Sequence, residues 1–270
     1  MNSNSQTSLP SALYISHGGG PLPLLGDVSH REMVDGLKTV ATILQRPAAI
    51  IVVSAHWEAD KVTILGGANP PLLFDYGGFP PEAYTIEYPA PGDSVLAGKI
   101  VELLQKDGIE ADLTENRGFD HGLFVPLKIM YPEADIPCVQ VSLIKGLQPA
   151  EHIALGRSLG GLKDKNILVL GSGFSFHNMK AFFTPSTSAI ESMNESFEQW
   201  LMDTCTDANF TEEEREQRLL HWEKAPAARF CHPREEHLLP LHVCYGFAGK
   251  IARRSFSWQV MGKKVSAYLW

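Results

Sequence analysis

The sequence predicts an α/β fold: a single domain with a central, mainly parallel (mixed) sheet flanked by helices on both faces. Three observations predict it. Short segments rich in β-branched residues are apolar on both faces, as strands of a sheet covered on both sides must be. Amphipathic helical patterns lie between them, so the two element types alternate along the chain. The composition, 44% hydrophobic and 20% charged over 270 residues, is globular, at a length that one α/β domain can fill.

In chain order, the apolar runs at 12–15 and 48–53 read as buried strands, and DSVLAGKIVELLQK at 93–106 reads as a helix. A strand is predicted at 137–143 (PCVQVSL), a helix at 149–162 and a third clearly buried strand at 167–170. The stretch 68–92 is too rich in Pro and Gly for regular structure, yet it carries Phe74, Tyr76, Phe79, Tyr84 and Tyr88. Loops of that length inside a domain are often binding loops, so these aromatics form either the wall of a ligand site or ordinary core packing. The stretch 186–222 reads as two helices, the second opening with Thr211 and Glu214 in capping-box spacing. With no internal repeat or charged tail, residues 1–270 read as one domain.

Charge narrows the function classes. Lys and Arg total 23 against 31 Asp and Glu, a net charge of −8, so no chain-wide basic field exists to attract nucleic acid or an anionic membrane surface. The N-terminus lacks the basic start and apolar stretch of a signal peptide, and no apolar run reaches the 18 or so residues of a membrane span. The four cysteines (Cys138, Cys205, Cys231, Cys244) are scattered without a C-x-x-C pair and read as small core residues. A cytoplasmic location is expected. Nothing in the pattern encodes an oligomeric state.

Ten histidines carry the functional signal. His17 ends ALYISHGGG, His56 follows AIIVVSA and His177 follows NILVLGSGFSF, so each falls just beyond the carboxyl end of a predicted buried strand. That edge is where ligands bind in open α/β sheets. A lone histidine there is more often a hydrogen-bonded loop residue. Three on neighbouring strands converge on one crevice, and neutral imidazole suits Zn, Cu, Fe or Ni. Gly18 to Gly20, Gly171 and Gly173 either let a ligand approach closely or simply make tight turns. His121 lies in RGFDHGLFVPLKIMYP, where Asp120 is a candidate helix N-cap, and His237 lies in HPREEHLLPLHVCYG, at the start of a helix. His242 is a poor partner for His237, because five residues are about 500° of helical rotation. His30, His152 and His221 lie on helical or polar stretches and read as solvated.

Two literal matches suggest a serine hydrolase: His17-Gly18-Gly19-Gly20 as an oxyanion loop and Gly156-Arg157-Ser158-Leu159-Gly160 as G-x-S-x-G. The context defeats that reading. A nucleophile elbow needs a strand before the serine and a helix after it, whereas Ser158 sits inside an amphipathic helix that precedes a strand.

Six segments, SHGGGPLPLL, PAAIIVVSAHWE, DYGGFPPEAYTIEYPAPG, RGFDHGLFVPLKIMYPEADIPCVQVSL, GSGFSFHN and EEHLLPL, appear in this order. Together they resemble the class III extradiol ring-cleavage dioxygenases, and most closely their DOPA-dioxygenase-like branch. The resemblance runs from about residue 12 to 245, and over 186–231 it extends to little beyond helical character. It implies a mononuclear site with His17 and His56 as metal ligands. The wider family usually completes the site with a glutamate; here the E-H-x-L-P-L pattern of the branch puts His237, rather than Glu236, in that place. His177 is similar to the family histidine that serves as catalytic base or as a fourth metal ligand, and His121 to the one that contacts substrate and dioxygen. The implied cofactor is one divalent metal per chain, Fe(II) for activity, with Zn(II) as an ion the same imidazoles accept. The implied reactants are a small catechol-type, DOPA-like aromatic and O2, both of whose atoms are incorporated as the ring opens to a semialdehyde. Two rival readings share the fold: a non-catalytic binding protein that kept the pocket histidines, and a zinc hydrolase using a bound water of lowered pKa. Retention of all five matched histidines together with the aromatic loop favours catalysis.

Overall fold

The computed structural model describes residues 11–270. The first ten residues, where no targeting signal is expected, lie outside the described residues. In chain order the elements are β1 (Ser11–Ser16), α1 (Arg31–Ile43), β2 (Ala49–Ala59), β3 (Val62–Leu65), α2 (Ser94–Lys106), β4 (Ala111–Thr114), α3 (His121–Met130), β5 (Cys138–Ile144), α4 (Pro149–Leu159), β6 (Ile167–Gly173), α5 (Met179–Phe182), α6 (Ser188–Thr206), α7 (Glu212–Leu220), α8 (Ala228–Cys231), α9 (Leu239–Ala248), β7 (Arg254–Val260) and β8 (Lys263–Leu269).

The strands form one eight-stranded sheet in the order β4-β3-β5-β2-β6-β1-β8-β7. Its centre, β5-β2-β6-β1, is parallel, while β3 runs antiparallel to β5 and the β7–β8 hairpin joins antiparallel to β1. The fold is thus the mixed α/β sheet that the sequence predicts. The central strands are buried along nearly their whole length, which is why Leu, Ile and Val fill them without alternation. Side-chain caps mark the starts of α2, α5, α6 and α7. Asp93 accepts from the Leu96 amide (2.9 Å) ahead of α2, and Thr211 and Glu214 close the expected capping box on α7. The four cysteines are free and buried. Among the described residues no helix is long and apolar enough to cross a membrane.

Several expectations need correction. His30 and His152 are fully buried rather than solvated, because each satisfies both ring nitrogens inside the fold. His30 Nε2 accepts from the Gly19 amide (3.0 Å) while Nδ1 meets Asp27 (2.9 Å); His152 Nδ1 donates to the Gln148 carbonyl (2.8 Å) while Nε2 accepts from the Ile144 amide (3.2 Å). Only His221 keeps an exposed side chain. Asp120 stands at the N-cap position of α3, but its carboxylate makes no capping bond; it is buried and takes hydrogen bonds from Ser54 Oγ (2.8 Å), Arg117 (2.8 Å) and Gln140. Strand β2 does not stop at 53. It continues to Ala59 through a register shift between Val53 and Glu58, so His56 lies on an irregular part of the strand rather than beyond it. His242 is structural, as expected, with Nε2 against the Leu219 carbonyl (2.9 Å). Ser158 is buried inside α4, far from any elbow geometry.

Candidate active site

The parallel core delivers three histidines to one rim. β1 and β6 pair in register up to Ser16 and Gly173, and the His17 amide donates to the Gly173 carbonyl (3.0 Å), so His17 emerges where β6 ends. The segment leading into α9 lies directly on that end. The His237 carbonyl accepts from the Phe174 amide (3.0 Å) and from the Tyr14 hydroxyl (2.9 Å). Gly173 has to be glycine for this contact, since a Cβ there would collide with the His237 carbonyl oxygen. Gly18, at φ +86°, turns the chain away from His17 in a conformation that L side chains rarely adopt.

His17, His56 and His237 meet at their Nε2 atoms. His56 Nε2 is 3.0 Å from His17 Nε2 and 3.3 Å from His237 Nε2, and one ligand atom from each of the three lies within 4.8 Å of the others. The opposite ring nitrogens fix the tautomers. Ser172 Oγ spends its only proton on the Gly122 carbonyl, so at 3.0 Å it accepts from His17 Nδ1. Glu236 Oε1 accepts from His237 Nδ1 (3.0 Å). His56 Nδ1 faces Asp75 Oδ2 at 3.7 Å. With the protons held on Nδ1, the Nε2 lone pairs of His17 and His237 point at a common centre, and that of His56 joins them. Burial holds the His17 and His56 rings well below the ordinary histidine pKa, with neighbouring imidazoles adding to the effect, and pushes His237 down to about 3. Neutral imidazoles aiming lone pairs at one point, each with an acceptor or carboxylate behind it, are the donor set of a metal site. The residues present therefore fit a divalent ion.

Glu236, one of the two residues weighed for the third position, lies on the Nδ1 side of His237 and away from this centre. His177 stacks on His237, with ring centroids 3.4 Å apart and planes at 16°, and its Nδ1 is 3.3 Å from the same Glu236 Oε1. It clusters with Glu236 and His237 rather than with the three converging Nε2 atoms. His121 lies against His56 with centroids 3.8 Å apart; its Nδ1 donates to Asp75 Oδ1 (2.8 Å) and its amide donates to the same oxygen (3.0 Å). Burial alone would raise the two carboxylates, but hydrogen bonds from these imidazoles outweigh it and hold both Asp75 and Glu236 below their ordinary values.

All five histidines line one cavity of about 460 Å³. Tyr76 and Phe79 of the aromatic loop form part of its wall. The other three aromatics do not: Phe74 packs edge-on and Tyr84 at a tilt against Tyr76, and Tyr88 is buried with its hydroxyl on the Tyr131 carbonyl (3.2 Å). The remaining apolar side chains of the wall, Leu22, Phe174, Met179, Phe182, Phe183 and Met261, were missed by sequence reasoning, since they come from three separate segments and carry no local pattern. Asp75 was missed as well, although an acid inside an otherwise aromatic loop was a usable signal. Ser172 offered none.

A mixed α/β sheet with a histidine-lined cavity at the carboxyl rim of its parallel strands defines the class, and the chain belongs to the aromatic ring-opening dioxygenases. Residues 11–268 match the family described as the catalytic LigB subunit of aromatic ring-opening dioxygenase. The chain is 37% identical over 288 aligned positions to dioxygenase tasH of Hapsidospora irregularis, covering 99% of this chain and 87% of that protein. It is 35% identical to the 4,5-DOPA dioxygenase extradiol of Escherichia coli (strain K12), over 90% of this chain and 86% of the relative. It is 33% identical to the 4,5-DOPA dioxygenase extradiol of Beta vulgaris, over 91% and 90%. The crystal structure of an uncharacterized Escherichia coli K12 protein superposes with a TM-score of 0.77 at 27% identity, covering 96% of this chain and 99% of that one.

Proposed function

We propose that this protein is a metal-dependent extradiol dioxygenase that opens the ring of a catechol-type substrate with O2, working in the cytoplasm. The observation that carries the reading is the convergence of the Nε2 atoms of His17, His56 and His237 at the wall of an apolar cavity. These three residues would hold one divalent ion, with Fe(II) as the ion for turnover and Zn(II) as one that binds without redox chemistry. Bound there, the ion supplies the Lewis acidity that favours the ionised diol and the redox chemistry that O2 requires.

The chain's own groups handle protons and water. Ionising a phenol of pKa about 10 at pH 7 costs roughly 4 kcal/mol, so the proton needs a receiver within reach. His177 is that base. Glu236 Oε1, 3.3 Å from its Nδ1, favours the proton on that nitrogen, which leaves Nε2 as the accepting atom. His121 is set in the same way by Asp75, with Nε2 free to take up a proton and return it during ring opening. His177 is thus a base rather than a fourth ligand, because its ring lies against the face of His237. Tyr76, Phe79 and Phe174 form an apolar wall that positions an aromatic ring and keeps bulk water from the reacting carbons.

The test is reconstitution with Fe(II) under anaerobic conditions, followed by oxygen-electrode assays across a catechol panel. The expected result is one O2 consumed per catechol, with a yellow ring-opened product. No uptake with any member of the panel would reject the proposal.

A further inference from the structure

The cavity has a chemical bias that its histidines do not explain. Apart from those five imidazoles and a few glycines, its walls are Leu, Met, Phe and Tyr side chains only, and among the described residues no Lys, Arg, Asp or Glu lines it. The one hydroxyl in the wall is already committed, since Tyr76 Oη donates to the Ala83 carbonyl at 2.6 Å. Lys180, next to Met179 on α5, is exposed and does not line the cavity, and other charged groups close in sequence are committed elsewhere. Asp75 and Glu236 sit behind the imidazoles they orient, and Arg234 grips Glu58 through two bonds of 2.6 Å. At the mouth the apolar wall continues outward on Met179 and Phe183, which line the cavity while remaining 52% and 74% exposed. The volume of about 460 Å³ falls in the range of roughly 300–1,000 Å³ that accommodates drug-sized ligands, more than a bare one-ring diol fills.

We infer that the substrate is a catechol carrying an uncharged, apolar substituent, whose diol meets the histidines and whose substituent runs along Phe174 and Phe182 toward Met179 and Phe183. This rests on the proposed function and narrows it. A carboxylate or ammonium on the substituent would enter a wall that no Lys, Arg, Asp or Glu lines, and burying an unpaired charge is strongly unfavourable. An apolar group at the same place gains from every surface it covers. The selectivity therefore runs against amino-acid side chains such as that of DOPA.

The experiment measures binding apart from turnover. Full-length protein supplied with Fe(II) and kept free of oxygen is titrated calorimetrically with 4-butylcatechol, 3,4-dihydroxyphenylacetate and DOPA, and oxygen uptake is then recorded with each. The expected order places 4-butylcatechol at least about tenfold tighter than either charged catechol. DOPA or the anion binding as tightly as 4-butylcatechol overturns the inference, even if all three are cleaved, and leaves the ring-opening reading intact. The expected affinity order without any oxygen uptake does the reverse. Failure of all three to bind overturns both. Phe183→Arg, at an exposed position that folding tolerates, is expected to tighten 3,4-dihydroxyphenylacetate several-fold relative to 4-butylcatechol. An unchanged ratio overturns the placement of the substituent at that mouth.

Discussion

His17 and His177 share one cavity, but their hydrogen bonds give them different tasks. His17 Nδ1 donates to a serine oxygen and its Nε2 faces two other Nε2 atoms, whereas His177 lies ring to ring on His237 with its Nδ1 toward Glu236. Removing His17 or His56 takes a donor from a set of three, so His17→Ala and His56→Ala are expected to lose bound metal on elemental analysis. His177→Ala is expected to keep most of its metal and lose turnover by 100-fold or more, the order of a general acid–base contribution. An empty site in His177→Ala would make it a ligand instead. What was legible at this scale was the placement of a histidine after an apolar run, which singled out His17, His56 and His177. What was not legible was burial off the site. His30 and His152 have polar or helical neighbours in sequence, and only the folded chain shows that both are buried, with their ring nitrogens on Gly19, Asp27, Ile144 and Gln148.

Between elements, the decisive contact is the end of β6 against the entry to α9. Two glycines make it possible: a Cβ at Gly171 would meet the Pro240 carbonyl, and one at Gly173 would meet that of His237. Gly173→Ala is therefore expected to push the His237 segment off the rim, at a cost of about 1–3 kcal/mol as with other overpacked sites. Urea denaturation and metal content should fall together; wild-type stability and full metal loading in this variant would show that the contact yields without consequence. The sequence displayed the central strands because they are covered on both faces and read as unbroken apolar runs. It hid β4 and β7, which are partly solvent-facing, so that polar residues such as Asp112, Arg254 and Ser257 interrupt the pattern. The register shift in β2 that places His56 was hidden for another reason, since it arises in pairing with β5 and not in the local sequence. The aromatic loop shows the same limit: five aromatics were visible, but only the packing decides that Tyr76 and Phe79 face the cavity while Tyr88 enters the core.

For the whole molecule, buried ionisable groups away from the site set the response to pH, and two of them act in opposite directions. Glu198 on α6 is fully buried where the helix meets β8 and the loop after β6; it accepts from Ser175 Oγ (2.5 Å) and from Ser266 Oγ. Burial pushes its pKa up to about 7, from an ordinary 4.5, against the lowering effect of those two hydroxyls. A raised carboxyl pKa means that the folded state holds a proton the unfolded chain has released. The stabilisation is thus complete below pH 4.5 and is lost as pH rises toward 7. Burial pushes His152 down to about 4 from 6.5, so the unfolded chain takes up a proton that the fold refuses, and stability falls as pH drops from 6.5 toward 4. Each shift corresponds to an order of 3 kcal/mol. Chemical denaturation at a series of pH values separates the two. The stability difference Glu198→Gln minus wild type is expected to climb between pH 4.5 and 7 and then level off. The difference His152→Gln minus wild type is expected to climb as pH falls from 6.5 to 4, and to be flat above. Because only the slopes are read, a constant loss of stability in either variant does not disturb the comparison. A flat difference curve for Glu198→Gln would mean that the carboxyl ionises inside the fold as readily as in water, and that the two serine hydroxyls fully offset its burial.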